Sequence, residues 1–72
     1  AARQEVARYY ADYTEWKIQD VELVKREDPS ITFHVTVTLE DGQTQEQEIL
    51  LESSMRGWSV VYSMPLDEET GN

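Results

Sequence analysis

The chain has 72 residues, of which 39% are hydrophobic and seven are aromatic, and it contains no cysteine. A domain near this size hides only about 60% of the surface that its unfolded chain exposes, so the length accommodates one domain with a small core. The lack of cysteine excludes disulfides and thiolate metal sites. No apolar run approaches the ~20 residues that span a bilayer, so direct membrane insertion is not expected.

Acidic residues outnumber basic ones by fifteen to six, which gives a net charge of −9. Acids and bases balance at five each up to residue 26, whereas residues 27–72 hold ten acids and a single base, Arg56. An acidic surface repels phosphate backbones and anionic lipid headgroups. Nucleic acid and membrane surfaces are therefore poor partners, and a solvated acidic surface is the simplest interpretation of the charge.

The first predicted element is an amphipathic helix over residues 3–14. Its apolar residues follow the i, i+3, i+4, i+7 spacing of one helical stripe: Val6, Tyr9, Tyr10 and Tyr13. The three tyrosines could form the wall of a ligand site. The favoured interpretation is the rim of a core, where the rings are buried and the hydroxyl groups remain wet.

The next segment has the spacing of a strand that changes face midway. Trp16 and Ile18 share one parity, whereas Val21 and Leu23 share the other, so a regular strand would send the two pairs to opposite faces. A β-bulge near Gln19 would bring both pairs to the same face.

A hairpin is predicted over residues 31–52, after a turn at Asp28-Pro29-Ser30. Residues 31–40 alternate apolar and polar, and Asp41-Gly42 then returns the chain. A three-residue loop, with Gly42 in the left-handed conformation, pairs Phe33 with Ile49, whereas a two-residue loop would bury the wrong side chains. The favoured register places three glutamines on the inner face near the loop, so this end is expected to project beyond the helix: Gln43, Gln45 and Gln47.

The last predicted strand follows a turn at residues 53–57 and is stopped by Pro65. Gly57 is the turn residue that permits Trp58 to begin the strand. One face of this strand is expected to carry four side chains: Trp58, Val60, Tyr62 and Met64. Residues 67–72 are predicted to be an acidic, disordered tail.

These elements predict an α+β fold in which one N-terminal helix packs on a four-stranded antiparallel meander with its strands in chain order. The short connections favour antiparallel pairing, because parallel strands need long crossovers. The domain is expected to occupy residues 1–66. Ala1 and Ala2 enter the helical pattern without an N-cap residue, which suggests that a signal, a membrane anchor or another helix precedes them in a longer protein.

Residues that could carry catalysis are few. The only histidine, His34, is predicted to lie on the outer face opposite Glu48, as a surface cross-strand pair. A triad or a metal site cannot be assembled around it, because there is no second histidine and no cysteine. Glu40-Asp41-Gly42 lacks the alternating oxygen ligands of a calcium loop. The chain is therefore predicted not to be an enzyme, with no metal and no cofactor.

The order of the elements resembles the C-terminal part of small bacterial extracytoplasmic domains of the nuclear-transport-factor-two-like, cystatin-like superfamily. The resemblance covers residues 5–63 and rests on the element pattern, on Asp41-Gly42 and on Gly57-Trp58. It implies that Trp58 caps the open end of a cone formed by a curved sheet around the helix, and that Trp16 lies at the start of the sheet. The further helices that usually enclose the pocket of the superfamily's enzymes are missing here.

Three functional hypotheses follow. The leading one is a non-catalytic accessory or protein-interaction domain of a bacterial cell-envelope or secreted protein, extracytoplasmic and anchored through a preceding segment. The alternative is a small-molecule-binding or enzyme-like domain with a pocket between the Tyr9/Tyr13 stripe and Trp58. The third is self-association through the free edge of the first or last strand, or through exposed aromatic residues. The candidate contact residues are aromatic: Tyr9, Tyr13, Trp16, Trp58 and Tyr62.

Overall fold

The computed structural model describes residues 2–66, so the predicted tail at residues 67–72 lies outside the described residues. Helix α1 spans Ala2–Tyr13, and four strands follow it: β1 Lys17–Glu27, β2 Ser30–Thr38, β3 Thr44–Ser54 and β4 Gly57–Pro65. The strands form one antiparallel sheet in the order β1-β2-β3-β4. The predicted α+β fold class and the strand order are therefore confirmed.

Helix α1 ends at a threonine cap. The backbone amide and the side-chain hydroxyl of Thr14 both donate to the carbonyl of Tyr10, at 3.1 and 2.7 Å. The same hydroxyl oxygen accepts a hydrogen bond from the amide of Trp16 at 3.1 Å. Thr14 thus satisfies a free carbonyl at the end of the helix and directs the chain into β1.

The central hairpin has the predicted register. Phe33 pairs with Ile49, and His34 pairs with Glu48. The amide of Leu39 donates to the carbonyl of Gln43 at 2.7 Å, and Gly42 has a φ of 90°. A positive φ is costly for any residue with a Cβ atom, so glycine permits the three-residue loop that sets this register.

The predicted bulge in β1 is confirmed, because the pairing with β2 shifts between Ile18 and Asp20. Ile18 then pairs with Val37 and Val21 with Val35, so both apolar pairs of β1 reach the inner face. A second shift occurs at Val24, which the sequence pattern did not predict. Two bulges in one edge strand increase its twist and interrupt its regular backbone pattern.

The prediction that Trp58, Val60, Tyr62 and Met64 share one face is wrong for the second half of β4. Val60 pairs with Leu51 and Tyr62 pairs with Leu50, so the register shifts at Val61. This bulge turns Tyr62 and Met64 to the outer face of the sheet, while Trp58 and Val60 pack against the core. The bulge reverses the face because side chains alternate with a period of two residues.

The core lies between α1 and the inner face of the sheet. Three helical residues and six strand residues are buried: Ala2, Val6, Tyr10, Ile31, Phe33, Val35, Val37, Ile49 and Leu51. Half-buried side chains from both ends of the sheet pack around them, among them Trp16 and Trp58. The nine buried residues come from α1, β2 and β3, so the two edge strands contribute only the rim.

The prediction that the glutamine end of the hairpin projects beyond the helix is wrong for Gln47. Its side chain is 4% exposed, and its Oε1 accepts a hydrogen bond from the Tyr10 hydroxyl at 3.3 Å. Its Nε2 donates to Oε1 of Gln45 at 2.9 Å. Gln47 can be buried beneath the helix because Tyr10 supplies a hydrogen-bond partner for its side chain. The pattern of apolar residues in the sequence does not reveal this partner. Gln43 is exposed, as predicted for the tip.

Candidate functional site

The α1/β4 groove is an open cleft of about 520 Å³ between the helix and the last strand. The helix contributes residues at i, i+3, i+4, i+7 and i+8, which lie along one side of α1, and β4 contributes five consecutive residues. The lining consists of Glu5, Arg8, Tyr9, Asp12, Tyr13, Trp58, Ser59, Val60, Val61 and Tyr62. A second cleft of about 410 Å³ shares Glu5, Arg8 and Trp58 and continues to Arg56 and Gly57.

Two tyrosines form the helical wall of the groove. The ring of Tyr9 packs edge-on against Tyr10 and tilted against Tyr13, with centroid distances of 5.2 Å in both cases. The Tyr9 hydroxyl and Ser63 Oγ lie 2.8 Å apart and share a hydrogen bond. Tyr9 is therefore fixed between the core and β4, whereas Tyr13 is 76% exposed. An exposed ring beside a fixed ring provides apolar contact area at the mouth of the groove.

Charges in the groove largely compensate each other. The Arg8 guanidinium contacts the Glu5 carboxylate at 2.8 Å, one helical turn away. This hydrogen bond and the negative charge of Glu5 raise the pKa of Arg8 above its ordinary value. Across both clefts the charged lining residues are two acids and two bases, Glu5, Asp12, Arg8 and Arg56. β4 itself carries no charged side chain.

The structure brings together four of the five predicted contact residues on the walls of the groove: Tyr9, Tyr13, Trp58 and Tyr62. The hydroxyl of Tyr62, however, bonds to Glu48 on the outer face of the sheet. Trp16 is not part of the lining and packs against the core just before β1, near the opposite edge. A groove therefore lies between the Tyr9/Tyr13 stripe and Trp58, where the alternative hypothesis located a pocket.

Sequence reasoning missed the charged wall of the groove and the bulge at Val61. The bulge has a sequence signal, since the adjacent apolar pair Val60-Val61 faces the adjacent apolar pair Leu50-Leu51, and strict alternation cannot bury both members of a pair. The charged wall of the groove has no sequence signal. From the sequence alone, Glu5, Arg8 and Asp12 are indistinguishable from an ordinary solvated helix face, because the position of β4 is not known.

The only histidine lies on the outer face of the sheet, in a chain of hydrogen bonds across three strands. His34 Nε2 and Glu48 Oε1 are 3.0 Å apart, as predicted, and the Tyr62 hydroxyl donates to the other carboxylate oxygen of Glu48 at 2.6 Å. The bonds from Tyr62 and His34 lower the pKa of Glu48, and the bond to Glu48 raises the pKa of Tyr62. With donors on both oxygens, Glu48 is a poor general base.

Comparison with known protein families, with curated proteins and with solved structures finds no match to this chain. Within residues 2–66, no group of three or more histidine, cysteine, aspartate or glutamate side chains is placed to hold a metal ion. None of the helices in the described part of the chain is long and apolar enough to cross a membrane.

Proposed function

We propose that this chain is a non-catalytic protein-interaction domain, which binds an extended segment along the free edge of β4. The observation that carries this proposal is the composition of the two edge strands. Six of the eleven residues of β1 are charged, whereas none of the nine residues of β4 is. Natural proteins place charges on edge strands to prevent pairing with other chains. β4 lacks that protection over its whole length.

The groove gives such a segment a specific place to dock. A strand added beside β4 forms main-chain hydrogen bonds with the sheet edge, and alternate side chains point towards the helix side. On that side lie the exposed ring of Tyr13, the hydroxyl-anchored Tyr9 and the half-buried Trp58. Aromatic side chains of this kind commonly act as anchors in interfaces. Main-chain bonds would supply affinity, and the groove would supply selectivity.

The cellular setting comes from the resemblance of residues 5–63 to bacterial extracytoplasmic domains of the nuclear-transport-factor-two-like, cystatin-like superfamily. The observed single helix on a four-stranded antiparallel sheet is compatible with that superfamily. We therefore extend the proposal to an accessory domain of a cell-envelope or secreted protein, anchored through a segment outside this chain. Its partner is another protein rather than nucleic acid, since the net charge is −9.

Small-molecule binding is a second candidate, and the size of the groove supports it. Ligand pockets commonly measure about 300–1,000 Å³, and the α1/β4 groove falls within that range at about 520 Å³. Its walls combine aromatic rings with Glu5, Arg8 and Asp12. A ligand in the groove would contact Trp58 and change its fluorescence without using the backbone of β4. This difference separates the two candidates.

The proposed function is tested by selecting peptides from a random displayed library on the wild-type chain. A matched pair of variants carries the test: Val61→Lys on β4 and Val24→Lys on β1. Both valines are exposed, at 53% and 43%, and both lie at bulges of edge strands. A lysine on an edge strand disfavours pairing. Val61→Lys is expected to weaken binding of the selected peptides by roughly tenfold or more, equivalent to about 1.4 kcal/mol.

The control Val24→Lys is expected to bind the selected peptides as the wild type does. Equal loss in both variants, or enrichment of no peptide, would refute the proposal of strand addition at β4. Quenching of tryptophan fluorescence by a small-molecule panel that Val61→Lys leaves unchanged would favour the second candidate instead. Far-UV circular dichroism of both variants establishes that each remains folded.

A further inference from the structure

The two clefts on the helix side of β4 have balanced charges, although the whole chain carries −9. The charged residues lining the two clefts beside β4 are two acids and two bases, and β4 has no charged side chain. On the outer face of the sheet, the Glu48 carboxylate accepts a hydrogen bond from Tyr62 of β4. An uncharged strand beside clefts of balanced charge is a surface where another copy of the same domain approaches with little local repulsion between like charges.

We infer that the segment bound along β4 is β4 of a second copy of this chain, in an antiparallel pair. This inference rests on the proposed function, because it names the occupant of the same edge. A basic segment is the other kind of occupant that an acidic protein attracts, but β4 and its clefts offer it no excess negative charge. An apolar, uncharged strand is the better match, and β4 is itself such a strand.

The pairing has a definite geometry. The two β4 strands pair about a twofold axis that is perpendicular to the sheet and lies next to Val61, the residue at the centre of the strand. Pro65 ends the pairing because it has no amide hydrogen. The result is one eight-stranded sheet with both α1 helices on the same face. The exposed Tyr13 side chains then line a common space between the helices.

Surface exposure supports the same edge. Three apolar side chains at the centre and end of β4 are at least 39% exposed: Val61 at 53%, Tyr62 at 39% and Met64 at 45%. Pairing along this edge covers part of these side chains and removes apolar area from water. The bulge at Val61 interrupts the pairing with β3, and regular backbone on both sides of it remains free to pair.

Disulfide crosslinking tests the pairing, because the natural chain contains no cysteine. Residues beside the twofold axis of an antiparallel pair approach each other to about the 4.4–6.8 Å Cα separation that a disulfide can bridge. Val61→Cys is expected to form a crosslinked dimer under mild oxidation at least about tenfold faster than Val24→Cys, its counterpart on β1, at the same concentration. Equal rates for the two variants would overturn the inference.

Sedimentation equilibrium of the wild-type chain gives a second test that needs no cysteine. The mean mass is expected to rise towards that of a dimer with concentration, and Val61→Lys but not Val24→Lys is expected to remain monomeric. Association should tighten with salt, because salt screens the repulsion between two copies of charge −9. A wild-type chain that stays monomeric at millimolar concentration would overturn the inference. If the selected peptides still bound in a manner sensitive to Val61→Lys, the proposed function would nevertheless stand.

Discussion

The two free edges of the sheet differ in charge and in regularity. β1 has six charged residues in eleven and bulges at Gln19 and Val24, whereas β4 has no charge, one bulge at Val61 and a proline at its end. Charges on an edge strand disfavour pairing with another chain, and each bulge interrupts the regular backbone along the edge. β1 is therefore the better protected edge of this small domain, and β4 is the edge that the proposed interaction uses.

The edges also differ in how α1 holds them. The Arg3 side chain donates to the carbonyl of Val21 in β1 at 3.0 Å, and its guanidinium lies 5.3 Å from the centre of the Phe33 ring. β4 is held instead by the hydrogen bond between Tyr9 and Ser63 and by the packing of Trp58. A charged group thus anchors the protected edge, while uncharged aromatic groups anchor the available one.

Removing the Trp58 ring is expected to cause the largest loss of stability, because this ring packs β4 against the core. Trp58→Ala should lower the free energy of unfolding by about 2–4 kcal/mol, somewhat less than for a fully buried tryptophan because one side of the ring faces the groove. Urea denaturation followed by circular dichroism measures this change. Trp16→Ala, before β1, is the matched variant at the other edge. A negligible loss for Trp58→Ala would show that the ring serves binding alone.

The buried hydroxyl of Tyr10, in the core between the two edges, is expected to make the free energy of unfolding fall at alkaline pH. Burial, with a further contribution from Tyr9, raises its pKa from 10.0 to about 12. The unfolded chain therefore loses this proton first, so the stabilisation is complete below pH 10.0 and disappears as the pH rises towards about 12. The loss should reach about 2 kcal/mol. Urea unfolding should be less sensitive to alkaline pH in Tyr10→Phe than in wild type, whereas Tyr13→Phe, at an exposed ring, should match wild type.

The hydrogen bond between Tyr9 and Ser63 is expected to make a smaller contribution. Tyr9→Phe or Ser63→Ala should each cost about 1 kcal/mol of unfolding free energy, because the bond is half-buried. The two variants combined should cost less than their sum, as a double-mutant cycle in urea measures. Strict additivity would contradict a direct contact. Arg3→Met, which removes the donor to β1, provides the corresponding measurement at the other edge.

The smallest effect is expected on the outer face, at Glu48. The hydrogen bonds from Tyr62 and His34 lower its pKa below the ordinary 4.5. This stabilisation is present above pH 4.5 and is lost as the pH falls through the lowered pKa. Glu48→Gln should therefore reduce the decline of the urea midpoint in acid. An unchanged acid dependence in this variant would show that the hydrogen bonds do not stabilise the fold.

Alternation and turn residues were sufficient to predict most of the fold. Residues 31–52 form a strand, a glycine loop and a returning strand, and the position of Gly42 determined which residues pair. The bulge near Gln19 was predictable because apolar parity changes there. The bulges at Val24 and Val61 were not predicted, because their apolar neighbours left more than one face assignment open until the pairing partner was known.

The candidate site was predictable in part. The stripe with Tyr9 and Tyr13 and the position of Trp58 located the groove, because helix spacing and strand order bring them to the same side. The balance of charge across the two clefts was not predictable, since Glu5, Arg8 and Asp12 are far from Arg56 in sequence and meet β4 only in the folded chain. The burial of Gln47 was missed for a similar reason, as its partner Tyr10 lies on another element.

The most direct test of β4 as the contact edge is a concentration series of the wild-type chain followed by backbone amide NMR. If β4 is the contact edge, the amide signals of residues 57–64 and of the groove side of α1 are expected to shift increasingly with concentration. The amide signals of β1 are expected to remain unchanged. Concentration-dependent shifts confined to β1, residues 17–27, would contradict the assignment of the contact edge to β4, because they would show that the charged and bulged edge is the one that contacts other chains.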